Sequence, residues 1–472
     1  MARKKSAEEL AIEAELAAAK EAQSTPRKDT RLSSASGDAA EVVPERGDKA
    51  EDLLAAEEKA SAVSKKKHAK PHIDPDGKFS WLLTKKGKVL LAVAIVAVLV
   101  IVVAVVLLVR WNSTDTWDGT EDTSWYQDGK SSYTFTTAEQ LAGLRKLCEE
   151  GNTFEGVSIS LGNNIDMYDS PFKPIGSGVN DQGNVLCFSG NFDGTGHTIK
   201  GLNIEEDTYD DAGLFGACDG GIIENLTVEG KVTGQVRVGG VIGEASGTVV
   251  RNCTNRCKVS SLKTATSYYP VSADVGGVVG AWLAIFDEGV ESAEISNLTN
   301  EGEVSARACS VGGVVGSLIN TDGFTLTARD FSNSGTVTVY CESDERDEAV
   351  GGVVGQLNAL GTTTVENFEN TGNVSCSSVL SVGGVFGAFM PQADHVKVSS
   401  CSNSGRISAN SKDERAHIGG IAGYLDDDSV NFDNCSNSGE LVATNNNTDD
   451  LFGTGEREVW DEWEDAHPDD MY

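Results

Sequence analysis

A short glycine-rich segment that recurs along the chain is the feature that most restricts its fold. The sequence VGGVVG, or a close variant of it, begins at Val238, Val275, Val311, Val350, Val382 and Ile418. The first glycines of successive copies lie 32 to 39 residues apart. Self-similarity at a period of roughly 20–50 residues is typical of solenoids, propellers and linear arrays.

A second, nine-residue pattern alternates with the glycine-rich segment. Its seven copies, such as ENLTVEGKV and DNCSNSGEL, begin at Glu224, Arg251, Ser296, Arg329, Glu366, Ser399 and Asp433. The segments are short, β-branched and punctuated by glycine, and they lack helical periodicity. They therefore predict an all-β coil in which each repeat adds one turn, or rung, of about three strands stacked about 4.8 Å from the next.

The nine-residue pattern predicts two columns of stacked side chains. Its third position gives an inward apolar column of Leu226, Cys253, Leu298, Phe331, Phe368, Cys401 and Cys435. Its fifth position gives a column of Asn255, Asn300, Asn333, Asn370, Asn403 and Asn437. Stacked asparagine amides can hydrogen-bond along the coil axis, so a buried polar column satisfies itself. Apolar residues at 223 and 226 are three apart, which requires a bulge or corner between them.

The glycine pairs predict a corner that every rung repeats. Paired glycines in β-branched strands mark a bend or a close approach of two backbones, where a Cβ would collide. The terminal repeats are atypical, as capping requires. Ala212–Gly216 replaces the first glycine pair, Val228 replaces the first asparagine, and the segment 450–453 replaces the last glycine pair.

An uncharged run of 21 apolar residues separates a basic part of the chain from an acidic one. Residues 89–109 have the length of a transmembrane α-helix, and the lysines that precede them favour a cytoplasmic N-terminus. Residues 1–110 carry a net charge of +3 and residues 111–472 carry −37. The acidic part would repel phosphates, so we predict no nucleic-acid partner.

These patterns divide the chain into six predicted segments. They are a largely disordered cytoplasmic tail with short helices (1–88), the transmembrane helix (89–109), an extracellular stalk (110–132), a capping helix with the first rungs (133–204), the repeats (205–453) and an acidic disordered tail (454–472). A capping box at 137–140 begins the capping helix, which continues to about Glu150. Its predicted apolar face is Leu141, Leu144, Leu147 and Cys148.

The repeats resemble the GLUG motif of bacterial cell-surface proteins, which also occurs beside the protease domain of some immunoglobulin A-cleaving metallopeptidases. The resemblance spans about 134–453 and rests on TTAEQLAGLRKLCEEGNTFEG, FSGNFDGTGHTIKGLNI and the alternating GGVVG and NCSNSG elements. It implies a right-handed parallel β-helix outside a bacterial cell and no single activity. The chain departs from such proteins in its N-terminal anchor, and it carries no LPxTG-like sorting signal.

Residues that carry chemistry form no catalytic or metal-binding motif in the sequence. The six histidines supply no HExxH, and His197 is predicted to be structural. The acidic clusters at 207–211, 342–348, 426–428 and 449–450 are predicted to be solvated loops, with calcium binding left open. Disulfides among the ten cysteines, all beyond the apolar span, are also left open. Sequon asparagines at 225, 252, 297, 373 and 434 are predicted to be repeat residues and not sugar acceptors.

We therefore predict a non-enzymatic protein of the cell membrane with no catalytic, cofactor-binding or metal-binding residue and no cofactor. Residues 89–109 would hold it in the lipid bilayer as a single pass. The repeats would form a rigid, adhesin-like or structural display scaffold for a host, matrix or cell-surface glycan or protein ligand. The alternative is a β-helix enzyme that degrades surface polysaccharide, which needs carboxylates of adjacent rungs to converge in a cleft.

Overall fold

A computed structural model describes the coil and the segment that caps it. The described residues are 116–179, 185–206, 211–262, 273–285, 290–307, 310–340, 349–377, 379, 381–391, 395–410, 416–426, 430–443, 448–449 and 451–452. The predicted cytoplasmic tail (1–88), transmembrane helix (89–109) and acidic tail (454–472) lie outside these ranges. Within them, no helix has the length and apolar character needed to cross a bilayer.

The strands, numbered in chain order, form three parallel sheets. The first sheet contains β1 (Ser132–Phe135), β2 (Ser158–Leu161), β3 (Ile165–Asp166), β4 (Asn191–Asp193), β5 (Thr198–Glu205), β7 (Ile222–Gly234), β10 (Val249–Ser261), β13 (Ser292–Asn300), β14 (Val304–Ala306), β17 (Thr325–Asn333), β18 (Val337–Tyr340), β21 (Thr362–Asn370), β22 (Val374–Ser377), β25 (Val396–Ser399), β26 (Ser402–Asn403), β27 (Ile407–Asn410), β30 (Phe432–Asp433), β31 (Ser436–Asn437) and β32 (Leu441–Ala443). The second contains β8 (Arg237–Gly239), β11 (Asp274–Gly276), β15 (Ser310–Gly312), β19 (Ala349–Gly351), β23 (Ser381–Gly383), β28 (His417–Gly419) and β33 (Thr448–Asp449). The third contains β6 (Phe215–Asp219), β9 (Ile242–Ser246), β12 (Val279–Leu283), β16 (Val315–Asn320), β20 (Val354–Ala359), β24 (Phe386–Pro391) and β29 (Ala422–Leu425).

The chain visits the three sheets in turn, so one circuit makes one rung. From β7 in the first sheet it passes to β8 in the second, β9 in the third and back to the first at β10. Each of these strands pairs in parallel with the equivalent strand of the next rung, as Val238 with Val275 and Ile242 with Val279. The predicted all-β coil of parallel rungs is thus confirmed.

Apolar side chains from the three sheets fill the interior of the coil. The third position of the nine-residue pattern is buried in six of the seven copies and half-buried at Cys435, and its members stack in register, as Leu226, Cys253 and Leu298 do. Phe331 and Phe368 are fully buried and stack with ring centroids 4.4 Å apart. Burying a side chain of this size contributes about 2–3 kcal/mol, so the column is a main source of stability.

The predicted asparagine column forms a continuous hydrogen-bonded ladder, which we call the inner ladder. Asn255 Nδ2 donates to Asn300 Oδ1 at 2.8 Å, and the same bond links each later pair, through Asn333, Asn370 and Asn403, to Asn437. Each amide also closes a local turn, since Asn370 donates to Gly372 O and accepts from Gly372 N. The members from Asn255 to Asn403 are almost completely buried.

The glycine pair forms the corner between the second and third sheets, as predicted. In one rung Gly351 ends β19, Gly352 lies in the bend, and β20 begins at Val354. A Cβ on Gly352 would lie 2.1 Å from Gly384 O and 2.4 Å from Asn370 Cγ. Since φ of Gly352 lies outside the left-handed region, close packing against the next rung and the inner ladder excludes a side chain there.

A left-handed residue explains the apolar pair that is three positions apart. Asn225 lies between Ile223 and Leu226 with φ of 53°, and both apolar neighbours point inward. The equivalent residue is left-handed in each rung, at Asn225, Asn252, Asn297, Asp330, Asn367, Ser400 and Asn434. Asn and Asp tolerate this conformation better than other side chains that carry a Cβ. The predicted bulge or corner between these positions is thus a single left-handed residue in each rung.

A helix and an aromatic cluster cap the N-terminal end. Helix α1 (Ala138–Glu149) begins after Thr137, whose side chain accepts from Gln140 N. Gln140 Oε1 accepts from Thr136 N at 2.8 Å, one residue before the partner that a standard capping box uses. On α1 the predicted apolar face is confirmed, with Leu141, Leu144 and Cys148 buried and Leu147 half-buried.

Part of the predicted stalk (110–132) packs onto the cap. Trp117 is buried and meets Phe172 with ring centroids 5.9 Å apart. Trp125 contacts Tyr133 and Phe135 edge-on, each at 4.7 Å.

Candidate binding surface

Most of the side chains singled out for chemistry have structural partners or lie outside the described ranges. His197 Nδ1 lies 3.3 Å from Asn164 Oδ1, in keeping with a structural role, and His417 is buried. Asp211 pairs with Arg237 Nε at 2.6 Å. Most residues of the acidic clusters lie outside the described ranges. Within the part of the chain that the structure describes, no group of three or more His, Cys, Asp or Glu side chains is arranged to hold a metal ion.

The outer face of the first sheet carries two adjacent columns of polar side chains, which we call the polar strip. One column consists of the left-handed residues Asn225, Asn252, Asn297, Asp330, Asn367, Ser400 and Asn434. The other consists of Thr227, Thr254, Thr299, Ser332, Glu369, Ser402 and Ser436, which pair in register from rung to rung. Both columns are half-buried or exposed.

The asparagines of the polar strip form a second, outer ladder that sequence reasoning missed. Asn252 Nδ2 donates to Asn225 Oδ1 at 2.8 Å, and Asn297 Nδ2 donates to Asn252 Oδ1 at 2.9 Å. Further along, Asn367 donates to Asp330 at 2.7 Å. The recurrence of Asn or Asp just before each inward residue was the available signal, because such residues favour the left-handed conformation.

Three threonines in the second column of the polar strip leave their hydroxyls available to a ligand. In the described residues the hydroxyls of Thr227, Thr254 and Thr299 have no side-chain hydrogen-bond partner. They recur at the strand spacing of about 4.8 Å. A shallow groove of about 310 Å³ follows the strip past Thr299, Ser332 and Asn367. This arrangement offers a repeating row of hydroxyl and amide groups to a repeating ligand, with the carboxylates of Asp330 and Glu369 in the same groove.

Ion pairs between rungs neutralise much of the charge beside the polar strip. Arg251 Nε lies 2.7 Å from Glu224, and Arg256 bridges Glu301 at 2.7 Å and Glu229 at 3.1 Å. Hydrogen bonds to these carboxylates raise the pKa of both arginines. Four of the five side chains are exposed and Glu224 is half-buried, so each pair contributes at most about 1 kcal/mol. Their main effect is to alternate positive and negative charge along the coil.

A larger groove lies over the first rungs. It has a volume of about 650 Å³, and its lining includes Lys130, Tyr133, Asp193 and Glu224. The two acidic residues lie opposite each other on the neighbouring strands β4 and β7. Both carboxylates are already engaged, because Asp193 Oδ1 accepts from Thr195 N and Asn225 Nδ2 while Glu224 pairs with Arg251.

The eight described cysteines are free thiols, and six of them are buried. Burial raises the pKa of Cys253 to about 12 and raises that of Cys218 well above the ordinary thiol value. Cys435, near the C-terminal end of the coil, differs. A hydrogen bond from the Cys401 thiol lowers the pKa of Cys435, and the Cys401 backbone N–H also donates to its sulfur, at 3.4 Å.

Comparison with known proteins gives two similarities and no family assignment. No protein-family model matches the chain. A stretch of 113 residues, 24% of the chain, is 37% identical to Halomucin from Haloquadratum walsbyi, and the match covers only 1% of that protein. Among solved structures, a protein from Bacteroides ovatus described as a "putative immunoglobulin A1 protease" is similar, with a TM-score of 0.44 and 18% identity over 72% of this chain and 89% of the other.

Proposed function

We propose that this chain is a single-pass, membrane-anchored surface protein whose parallel β-helix acts as a rigid display scaffold. The observation that carries the proposal is the inner ladder, which runs without a break from Asn255 to Asn437. A ladder of this kind fixes each rung against the next, so the side chains on the outside keep a constant spacing. A regular, stiff outer surface suits presentation to a ligand.

Other observations support a surface location. The 21 apolar residues of 89–109 with lysines before them fit an uncleaved anchor, and the −37 charge beyond them suits an exposed exterior. The similarity to Halomucin and the resemblance to GLUG-containing bacterial surface proteins agree with this. We also infer that the coil is right-handed, because parallel strands joined by crossovers adopt that hand in about 98% of cases.

Protease treatment of intact cells tests the location. With an epitope at each terminus of the full chain, externally added protease is expected to remove the C-terminal epitope and to spare the N-terminal one. A chain without 89–109 serves as the control and is expected to lose membrane attachment. Protection of the C-terminal epitope, or loss of both epitopes from sealed cells, would contradict the proposed topology.

We propose that the ligand class is an extended, uncharged glycan chain bound along the polar strip. The free hydroxyls of Thr254 and Thr299 and the amides of the outer ladder are groups that hydrogen-bond sugar hydroxyls. Because adjacent rungs are about 4.8 Å apart, a polymer with a similar repeat can make the same contact at each rung. The net charge of −37 beyond residue 110 disfavours acidic polymers.

Binding of cells that display the full chain to immobilised neutral polysaccharides tests this assignment. A Thr254→Val and Thr299→Val double variant is expected to lower retention about tenfold or more, since valine keeps the shape and removes the hydroxyls. The control is Ser305→Val with Thr338→Val, which alters a different outward column of the same sheet. Equal retention of the two variants would exclude the polar strip as the binding site. Preferential binding to acidic polymers or matrix proteins would exclude an uncharged glycan as the ligand.

The alternative of a polysaccharide-degrading enzyme has one structural observation in its favour. Asp193 and Glu224 come from adjacent rungs and line the same groove of about 650 Å³. Release of reducing ends by the full chain would support it, provided that Asp193→Asn and Glu224→Gln each abolish the release. Unchanged release in both variants would assign the activity to another protein in the preparation.

A further inference from the structure

We propose that Cys401 and Cys435 form a disulfide that joins the last two rungs of the coil. The two residues occupy the same position of successive nine-residue copies, and the strands on either side of them pair with one offset, as Ser399 with Asp433 and Ser402 with Ser436. Cys401 therefore lies directly opposite Cys435. Adjacent strands are about 4.8 Å apart, within the roughly 4.4–6.8 Å between Cα atoms that a disulfide requires.

The local contacts bring the backbone of Cys401 onto the sulfur of Cys435. The backbone N–H of Cys401 donates to Cys435 Sγ at 3.4 Å, and each thiol donates to the carbonyl two residues before it, Cys401 to Ser399 O and Cys435 to Asp433 O. Cys401 is fully buried, whereas Cys435 is half-buried and open to a reagent from solvent. Cys253 holds the same column position further along the coil, but its neighbours in the column are Leu226 and Leu298. Cys401 and Cys435 thus differ from Cys253 in having a cysteine at the neighbouring position of the column.

The same contacts assign a role to each sulfur in disulfide exchange. Hydrogen bonding from Cys401 lowers the pKa of Cys435 and so favours its thiolate. The same side-chain interaction, together with burial, raises the pKa of Cys401. The Cys435 thiolate attacks one sulfur of a small disulfide oxidant, RSSR, and expels RS⁻, which takes up a proton. The Cys401 sulfur, on losing its proton, then attacks Cys435 Sγ in the mixed disulfide and expels the second RS⁻, which is protonated to RSH. Two protein thiols and one RSSR become one protein disulfide and two RSH.

The bridge would close a loop that spans one complete rung. Terminal rungs of a solenoid have a neighbour on only one side and open first. A covalent link between Cys401 and Cys435 would hold β30, β31 and β32 against the preceding rung. Oxidising conditions outside the cell, which follow from the proposed function, would favour the bridged form.

Peptide mapping of the full chain in detergent tests the bridge without reference to location. The folded, reduced protein is incubated with oxidised glutathione, its remaining thiols are blocked with N-ethylmaleimide in denaturant, and it is digested with trypsin. Cleavage sites at Lys397, Arg406 and Arg415 place the two cysteines in different peptides. We expect these peptides to be recovered joined, lighter by two hydrogen atoms than their sum, and separated by a reductant.

Two variants keep the outcome decisive. Cys435→Ser is expected to abolish the joined peptide and to speed proteolysis at the C-terminal end about tenfold relative to the oxidised parent. Cys253→Ser, the matched control in the same column, is expected to leave the joined peptide intact. Complete blocking of both Cys401 and Cys435 by N-ethylmaleimide after oxidation of the folded parent would overturn the proposal. Joining of Cys435 to a different cysteine would also overturn it.

Discussion

At the scale of the residue, an inner-ladder asparagine uses the full hydrogen-bonding capacity of its side-chain amide. Asn370 donates to Gly372 O and Asn403 Oδ1, and it accepts from Gly372 N and Asn333 Nδ2. Its amide thus fills both donor and both acceptor positions while the side chain is fully buried. An apolar side chain at this position would leave several buried polar groups without a hydrogen-bond partner.

Asn370→Ala is therefore expected to destabilise its rung by about 2–4 kcal/mol, since it leaves buried groups of Asn333, Gly372 and Asn403 without a partner. Ser375→Ala, an exposed change on the adjoining strand, is the control and is expected to change stability by less than about 0.5 kcal/mol. Native-state hydrogen exchange of the full chain in detergent measures both, because it reports the free energy of local opening. Equal protection of the rung in the two variants would contradict this account.

The sequence was enough to predict the features for which every repeat carries the same residue type at the same position. The inward column, the inner ladder and the glycine corner each follow from one residue type recurring at one position. The outer ladder could not be predicted in this way, because its hydrogen bonds depend on the left-handed backbone at Asn225 and its equivalents. The inward column already places Cys401 next to Cys435, but the sequence did not show that Cys435 is only half-buried or that the backbone N–H of Cys401 donates to its sulfur.

At the scale of the element, the corner between the second and third sheets sets how tightly the coil can turn. Its glycines are packed against the corner of the next rung and against the inner ladder, so backbone approach excludes a side chain at each. The corner and the ladder therefore depend on each other. The capping helix α1 acts differently, because its buried Leu141 and Leu144 belong to the same apolar cluster as the interior of the first rungs.

Gly352→Ala compared with Gly323→Ala separates close packing from backbone strain. A Cβ on Gly352 collides with Gly384 O, whereas a Cβ on Gly323 meets nothing within 4 Å but must adopt φ of +78°. We expect Gly323→Ala to cost about 1–2 kcal/mol and Gly352→Ala about 3 kcal/mol or more. The thermal unfolding midpoint of the full chain measures the difference. A larger loss for Gly323→Ala would show that conformation, and not packing, selects the corner glycine.

At the scale of the whole molecule, the strand pairing of the described residues joins each rung to its neighbours in the stack. Stability is then close to a sum of rung and interface contributions, so damage stays local and the ends open first. The third sheet stacks seven strands in the described residues, which at about 4.8 Å per step span about 29 Å. A scaffold of this kind can present the polar strip at constant spacing over its length.

Distances between spin labels along one outward column test the stacked coil most directly. Thr233, Ser260, Ser305, Thr338, Ser375, Ser408 and Val442 follow one another in register on successive rungs. Labels are introduced as a non-natural amino acid because the chain has ten cysteines. For the pairs 260/408, 233/408 and 233/442 we predict narrow distributions whose centres rise in equal steps, near 19, 24 and 29 Å, at about 4.8 Å per rung. Broad distributions, or distances that do not rise with the number of rungs between the labels, would contradict a single stacked coil.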